Sequence, residues 1–193
     1  PRNNLMTNQV RLVFGEVPES LDDFIFASQS VQAEAMKYFV EMWRGHKFAD
    51  KTGILWWNLR DGWPILSDAI TDYYGGKKIA YAFLRNVQRD VCVMINDPVD
   101  GKYQLIAVND NLVGHEGSVR VTDAASGKTV YKGRFTVPVN GRTVIAGIPE
   151  REGQGMLKIE YTVDGCSYTN HYLYGSAPFS LDDYRSWGSG LDY

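Results

Sequence analysis

Apolar residues follow one spacing before about residue 89 and another after it. In the first part Phe24, Ile25, Val31, Ala35, Met36, Phe39, Met42 and Trp43 recur every three or four positions, the period of a helix with one buried face. Ser20-Leu21-Asp22-Asp23 supplies a capping hydroxyl with an acid three residues on. Gly45 suits the position just past the end. The pattern predicts a helix over 21–44, roughly 36 Å long at 1.5 Å per residue, and so lying along a large neighbour. A second helix is predicted over 77–87, with Ile79, Ala80, Phe83, Leu84 and Val87 on one face, and a short one over 67–73. Between the long helices, residues 53–59 form an apolar run ended by Pro64, the pattern of a strand buried on both faces.

From about Arg89 the period becomes two. Strands are predicted over 90–95, 103–109, 117–123, 128–137, 142–148, 156–163 and 166–174. The turn pairs between them are Asp100-Gly101, Asp110-Asn111, Ser126-Gly127, Asn140-Gly141, Glu152-Gly153 and Asp164-Gly165. Short strands at this spacing imply an antiparallel sandwich of the immunoglobulin-like kind. Asn140-Gly141 and Asp164-Gly165 are the strongest hairpin signals, because a type I′ turn needs positive φ. The tail repeats the capping device at Ser180-Leu181-Asp182-Asp183-Tyr184. A last helical turn is expected to press Tyr184 and Trp187 onto the body, with 188–193 fraying. The fold class is therefore α+β: helix, strand and helix over 1–88, a sandwich over 89–175 and a tail over 176–193. Helix–strand–helix is one and a half βα units, not a closed domain.

Bulk properties narrow the function classes. The chain has 193 residues, 44% of them apolar, and a formal net charge of −3. There is no long basic run to suit nucleic acid and no apolar stretch near the roughly 20 residues of a membrane span. Pro1-Arg2-Asn3-Asn4 has neither Met nor a signal-peptide pattern, so the chain reads as a processed or cut piece and its compartment stays open, a secreted or periplasmic parent included. Cys92 and Cys166 are read as free thiols in strands. His46, His115 and His171 lack metal-ligand spacing. No Gly-rich phosphate loop and no nucleophile elbow occur, and no cofactor is expected.

The chemistry-bearing segment is Gly53-Ile54-Leu55-Trp56-Trp57-Asn58-Leu59-Arg60-Asp61-Gly62-Trp63-Pro64. Three of the five tryptophans fall within it. A pyranose ring offers C–H groups to stack on an indole and hydroxyls to bond an amide or a carboxylate. Trp56 and Trp57 point to opposite faces if the segment is a strand. One of them is then a core residue and the other faces outward. Asp61 has a second reading as a turn cap, and Trp63-Pro64 as packing.

In its helical context this segment resembles the C-terminal end of glycoside hydrolase family 2 enzymes of the β-mannosidase-like branch. The resemblance also rests on residues 27–35, on Asp72-Tyr73-Tyr74-Gly75 with Lys78-Ile79-Ala80-Tyr81, and on Asn170-His171-Tyr172-Leu173 with Pro178-Phe179-Ser180-Leu181. It implies the incomplete end of a (β/α)₈ barrel followed by a sandwich. The implied activity is retaining hydrolysis of β-glycosides by two glutamates about 5–5.5 Å apart. No glutamate here lies in either motif: Glu16 has the wrong context, and Glu34 and Glu41 fall on the long helix as solvated or pairing residues. The resemblance thus implies a catalytically inactive piece, with Trp57, Asn58, Asp61 and Trp63 as a substrate-binding wall and a carbohydrate as partner of the intact enzyme. Apolar surface meant for a missing barrel would pack on the sandwich, favour self-association or lie disordered. The alternative function is a non-catalytic carbohydrate-binding or structural module. Its aromatic candidates are Tyr103, Tyr131, Tyr161, Tyr168, Tyr172 and Tyr174.

Overall fold

The computed structural model describes residues 2–191. The elements run α1 (Arg2–Phe14), α2 (Leu21–Gly45), α3 (Ile79–Val87), β1 (Val91–Val99), β2 (Lys102–Asn109), β3 (His115–Asp123), β4 (Thr129–Val137), β5 (Arg142–Pro149), β6 (Gly155–Val163), β7 (Cys166–Tyr174) and α4 (Leu181–Trp187). The strands make two antiparallel sheets, β1-β2-β5 and β4-β3-β6-β7. Their inner faces share one core, with Val93, Ile95 and Leu105 meeting Val121, Leu157 and Ile159.

The two sheets differ on their outer faces. β3 and β4 alternate buried and exposed positions, as expected where one face meets water. β1 is buried at every position from Val91 to Asn96. Its outward side chains Cys92 and Met94, with Ile106 and Val108 of β2, pack under Val40 of α2 and Phe83, Leu84 and Val87 of α3. The helices thus form a layer over one sheet, which answers how the long helix is buried: it packs on the sandwich. Contact is close enough at the end of α2 that a Cβ on Gly45 would sit 2.4 Å from the Asn96 amide nitrogen. Gly45 is the last residue of the helix, one past the predicted end, and His46 takes the cap position. Ser20 and Ser180 cap as expected, accepting from the backbone N–H of Asp23 at 3.1 Å and of Asp183 at 3.2 Å.

Several sequence expectations need correcting. α1 had no counterpart. It buries Val10 and Phe14 against Ala27, Met156, Phe179 and Tyr184 but leaves Leu5 and Leu12 exposed, which blurs its periodicity. Residues 53–59 form no strand; among the described residues only Asn58 and Leu59 find a backbone partner, in Ile70 and Thr71. Residues 67–73 form no helix. They return alongside 58–61 through a parallel bridge, Arg60 to Thr71. Asn140-Gly141 joins strands in different sheets, not a hairpin, and only Asn140 has positive φ (43°). Asp164-Gly165 is the hairpin expected, with φ of 52° and 78° and Val163 paired to Cys166. Asp100-Gly101 is another, with φ of 51° and 72° and Val99 paired to Lys102. Of the tail expected to fray, 188–191 form turns and Ser189 O accepts from Lys158 Nζ; Asp192 and Tyr193 lie outside the described residues, as does Pro1.

Candidate functional site

The segment 53–64 follows α2 after a loop and forms no regular element. Ile54 and Trp56 pack on the cluster formed by α2, α3 and the outer face of β1 and β2. Their alternates Leu55, Trp57 and Leu59 face away and are exposed, Trp57 at 80%. The Trp56–Trp57 pair is therefore split as alternation requires, one ring toward the core and one outward. The peptide bond between Trp57 and Asn58 is cis. Trp63 is exposed at 63%.

The polar pair is placed differently. Asn58 is half-buried, and its side-chain Oδ1 has no hydrogen-bond partner among the described residues. Its backbone carbonyl accepts from Ile70 N–H at 3.2 Å. Asp61 is 5% exposed. Its Oδ1 accepts from the Ser67 hydroxyl, and Oδ2 faces Lys78 Nζ at 3.5 Å. The structure thus brings Asp61 together with Ser67 and Lys78, while Trp57 and Trp63 point to solvent. Ser67 and Lys78 were missed as partners. Lys78 lies in a stretch that carried the resemblance, but nothing in the spacing pairs it with Asp61.

Beside this loop a cleft of about 630 Å³ opens between α1, the first half of α2 and residues 64–78. Phe24, Ile25, Leu66, Tyr73 and Tyr74 line it, and none of the four predicted site residues does. Tyr73 and Tyr74 meet edge to face at 5.2 Å.

A buried polar network lies where α2 crosses the seam between the edge strands β1 and β7. Asn170 Nδ2 donates to Val93 O at 2.9 Å and to Glu41 Oε1 at 2.7 Å. Lys37 Nζ donates to Glu41 Oε2 and to His171 O, both at 2.6 Å. Edge strands leave backbone carbonyls unpaired, and buried ones must find donors. Here α2 and Asn170 supply them. Glu34 accepts from Tyr184 Oη at 2.7 Å and lies 2.8 Å from His171 Nε2. Burial pushes the Glu34 carboxyl up, but the neighbouring His171, Lys37 and Tyr184 outweigh it and hold it down at about 2. Glu34 and Glu41 are thus pairing residues, committed to holding the helix on the sandwich. The six tyrosines weighed as a sugar platform also serve the interior. Tyr103, Tyr161 and Tyr174 are core, and Tyr131, Tyr168 and Tyr172 pack against it.

No protein-family profile matches the chain. Among curated proteins it is 28% identical over 146 residues to β-mannosidase B of Emericella nidulans, covering 65% of this chain and 17% of that protein. It is 38% identical over 76 residues to β-mannosidase B of Aspergillus niger, covering 38% of this chain and 9% of that protein. Among solved structures, the β-D-mannosidase of Dictyoglomus thermophilum matches 92% of this chain with a TM-score of 0.77 at 25% identity. An exo-chitosanase of Amycolatopsis orientalis matches 96% with a TM-score of 0.76 at 16% identity, a likeness of fold. This chain spans 22% and 25% of those two chains. In sequence and in fold the chain is thus similar to one part of β-mannosidase-like enzymes, spanning 17% and 9% of the two curated relatives and 22% of the Dictyoglomus thermophilum chain.

Proposed function

We propose that this chain is the end of a retaining, exo-acting β-glycosidase. In this reading α2, residues 53–64 and α3 close a (β/α)₈ barrel, and the seven strands form an immunoglobulin-like sandwich that buttresses it. The observation that carries the reading is the half-covered run at 53–59. Ile54 and Trp56 are packed while Leu55, Trp57 and Leu59 are bare. A run packed on one side, exposing Trp and Leu on the other and paired only at its end with 70–71, has the pattern of a strand that needs neighbours. The other strands of a barrel would supply them. The exposed Trp57 would then face the barrel mouth, where an indole can stack on a sugar ring and exclude water beside an oxocarbenium-like transition state. Trp63 would shape the rim, and Asn58 would add a polar contact beside it.

The general acid and the nucleophile would come from other strands of the same barrel, because Glu34 and Glu41 are used in the seam network. This chain alone should therefore not hydrolyse glycosides. The test is an assay of a longer polypeptide that includes this segment, against aryl β-mannoside, β-galactoside, β-glucuronide and β-glucosaminide. Hydrolysis of at least one with retained configuration, lost on Trp57→Ala, is the expected result. No turnover of any of the four overturns the reading.

A further inference from the structure

The loop that carries the exposed tryptophans is folded around a carboxylate no ligand can reach. Residues 58–61 and 70–71 run side by side, with Ile70 N–H donating to Asn58 O at 3.2 Å, Thr71 N–H to Leu59 O at 3.0 Å and Asp61 N–H to Thr71 O at 3.1 Å. The bridge between them is parallel, so residues 62–69 must cross over to close it. Ser67 lies on that crossing connection, and Lys78 occupies the position just before α3. The Asp61 carboxylate sits where the three meet. It accepts from Ser67 Oγ and faces Lys78 Nζ at 3.5 Å, and Lys78 Nζ donates to Ser67 O at 3.1 Å. The Asp61 side chain is 2% exposed, and that of Lys78 is 15% exposed. Lys78 N–H, bonded to Ile70 O at 3.0 Å, ties the returning segment to the same point.

The structure assigns Asp61 a positioning role: its buried carboxylate, held between Ser67 and Lys78, fixes the loop on which Trp57 and Trp63 are presented, and does not itself touch a sugar. This rests on the proposed sugar-facing role of the two indoles. Two alternatives were open from sequence, a ligand contact or a local turn cap. Burial removes the first, and the partner at Lys78, outside the turn, goes beyond the second. A buried charge that loses its partner is strongly unfavourable. The loop is held by short bridges, Arg60 to Thr71 and Thr71 to Lys77, and not by a full strand ladder, so it should open locally before the sandwich does.

Native-state amide exchange on this chain tests the assignment. In Asp61→Asn, which keeps the shape and removes the charge, exchange at Ile70 and Thr71 should rise about tenfold or more, and the Trp57 and Trp63 indole N–H resonances should shift. Amides of Leu105 and Leu157 should exchange as before. Asp61→Asn combined with Lys78→Met removes both charges and should recover much of the lost protection. Unchanged exchange at Ile70 and Thr71 overturns the assignment. So does an equal rise across the sandwich, which would make Asp61 a general stability residue, or a double variant that recovers nothing. None of these readouts involves a sugar, so their failure is distinct from a longer polypeptide's failure to hydrolyse glycosides, which would overturn the functional reading alone.

Discussion

Val91-Cys92-Val93-Met94-Ile95 and Ile54-Leu55-Trp56-Trp57 carry the same pattern and reach opposite ends. The first is buried throughout, because the second sheet covers one side of β1 and the helices α2 and α3 cover the other. The second receives only the helical side. Its odd-numbered residues stand in water, Leu55 with no cover at all. An apolar run states how many faces must be covered. Whether the cover exists depends on elements far away in sequence. The hydrophobic effect scales with area actually removed from water, so identical side chains contribute very different amounts in the two runs.

The sharpest way to break this comparison is to truncate one leucine in each region. Leu105, fully buried on β2 opposite Ile95, should cost about 2–5 kcal/mol as Leu105→Ala, since both transfer energy and cavity energy are lost. Leu55→Ala should change stability by no more than about 0.5 kcal/mol, as surface substitutions do. Urea unfolding of both variants checks this. Similar losses would mean that 53–59 is buried in solution, by a second copy or by a rearranged loop.

The same contrast explains what could be read from the sequence. All seven strands were legible to within a few residues because each carries a period of two or a β-rich run bounded by turn residues. Asp164-Gly165 was legible as a hairpin because its geometry is local. Asn140-Gly141 carries the same chemistry, but sheet assignment, which is not local, makes it a crossover. α1 was missed because its exposed Leu5 and Leu12 hide the buried stripe. Residues 53–59 were read as a strand because their pattern is that of one, and in this chain they lack the partners that would make it so. Within the site, alternation alone said that Trp56 and Trp57 would face opposite ways, and the resemblance said that Trp57 would be the outward one. The Asp61–Lys78 pair was not legible, because its members lie seventeen positions apart with a crossing connection between them.

A smaller effect separates how the helical layer is attached from how the exposed run behaves. Glu34 is held down at about 2 by its network, against an ordinary value near 4.5 in the unfolded chain. A depressed folded value means the stabilisation is fully present above about pH 4.5 and is lost as pH falls toward 2. Urea midpoints measured from pH 5.5 to 2.5 should therefore fall more steeply in the native sequence than in Glu34→Gln, where this contribution is absent at every pH. The attachment of α2 to β7 and α4 should loosen in the same window, seen as faster amide exchange along α2. Parallel pH slopes in the two proteins would show that Glu34 is not paired with His171 in solution.

The smallest expected difference tests the backbone rather than the side chains. Gly165 sits in the β6–β7 hairpin at φ of 78° with open space where a Cβ would go. Gly53 opens the unpaired run with equally open space and without a positive φ. Sterics are thus matched, and only conformation differs. Gly165→Ala forces an L-residue into the left-handed region and should cost about 1 kcal/mol. Gly53→Ala should be neutral or stabilising by up to about 1 kcal/mol, because it restricts the unfolded chain without straining the folded one. The sign of the difference is the informative quantity. A turn that sets register cannot accept the change, whereas a segment without a partner strand has no register to lose. If Gly53→Ala proves as costly as Gly165→Ala, then 53–59 is held in solution by contacts as specific as those of a hairpin.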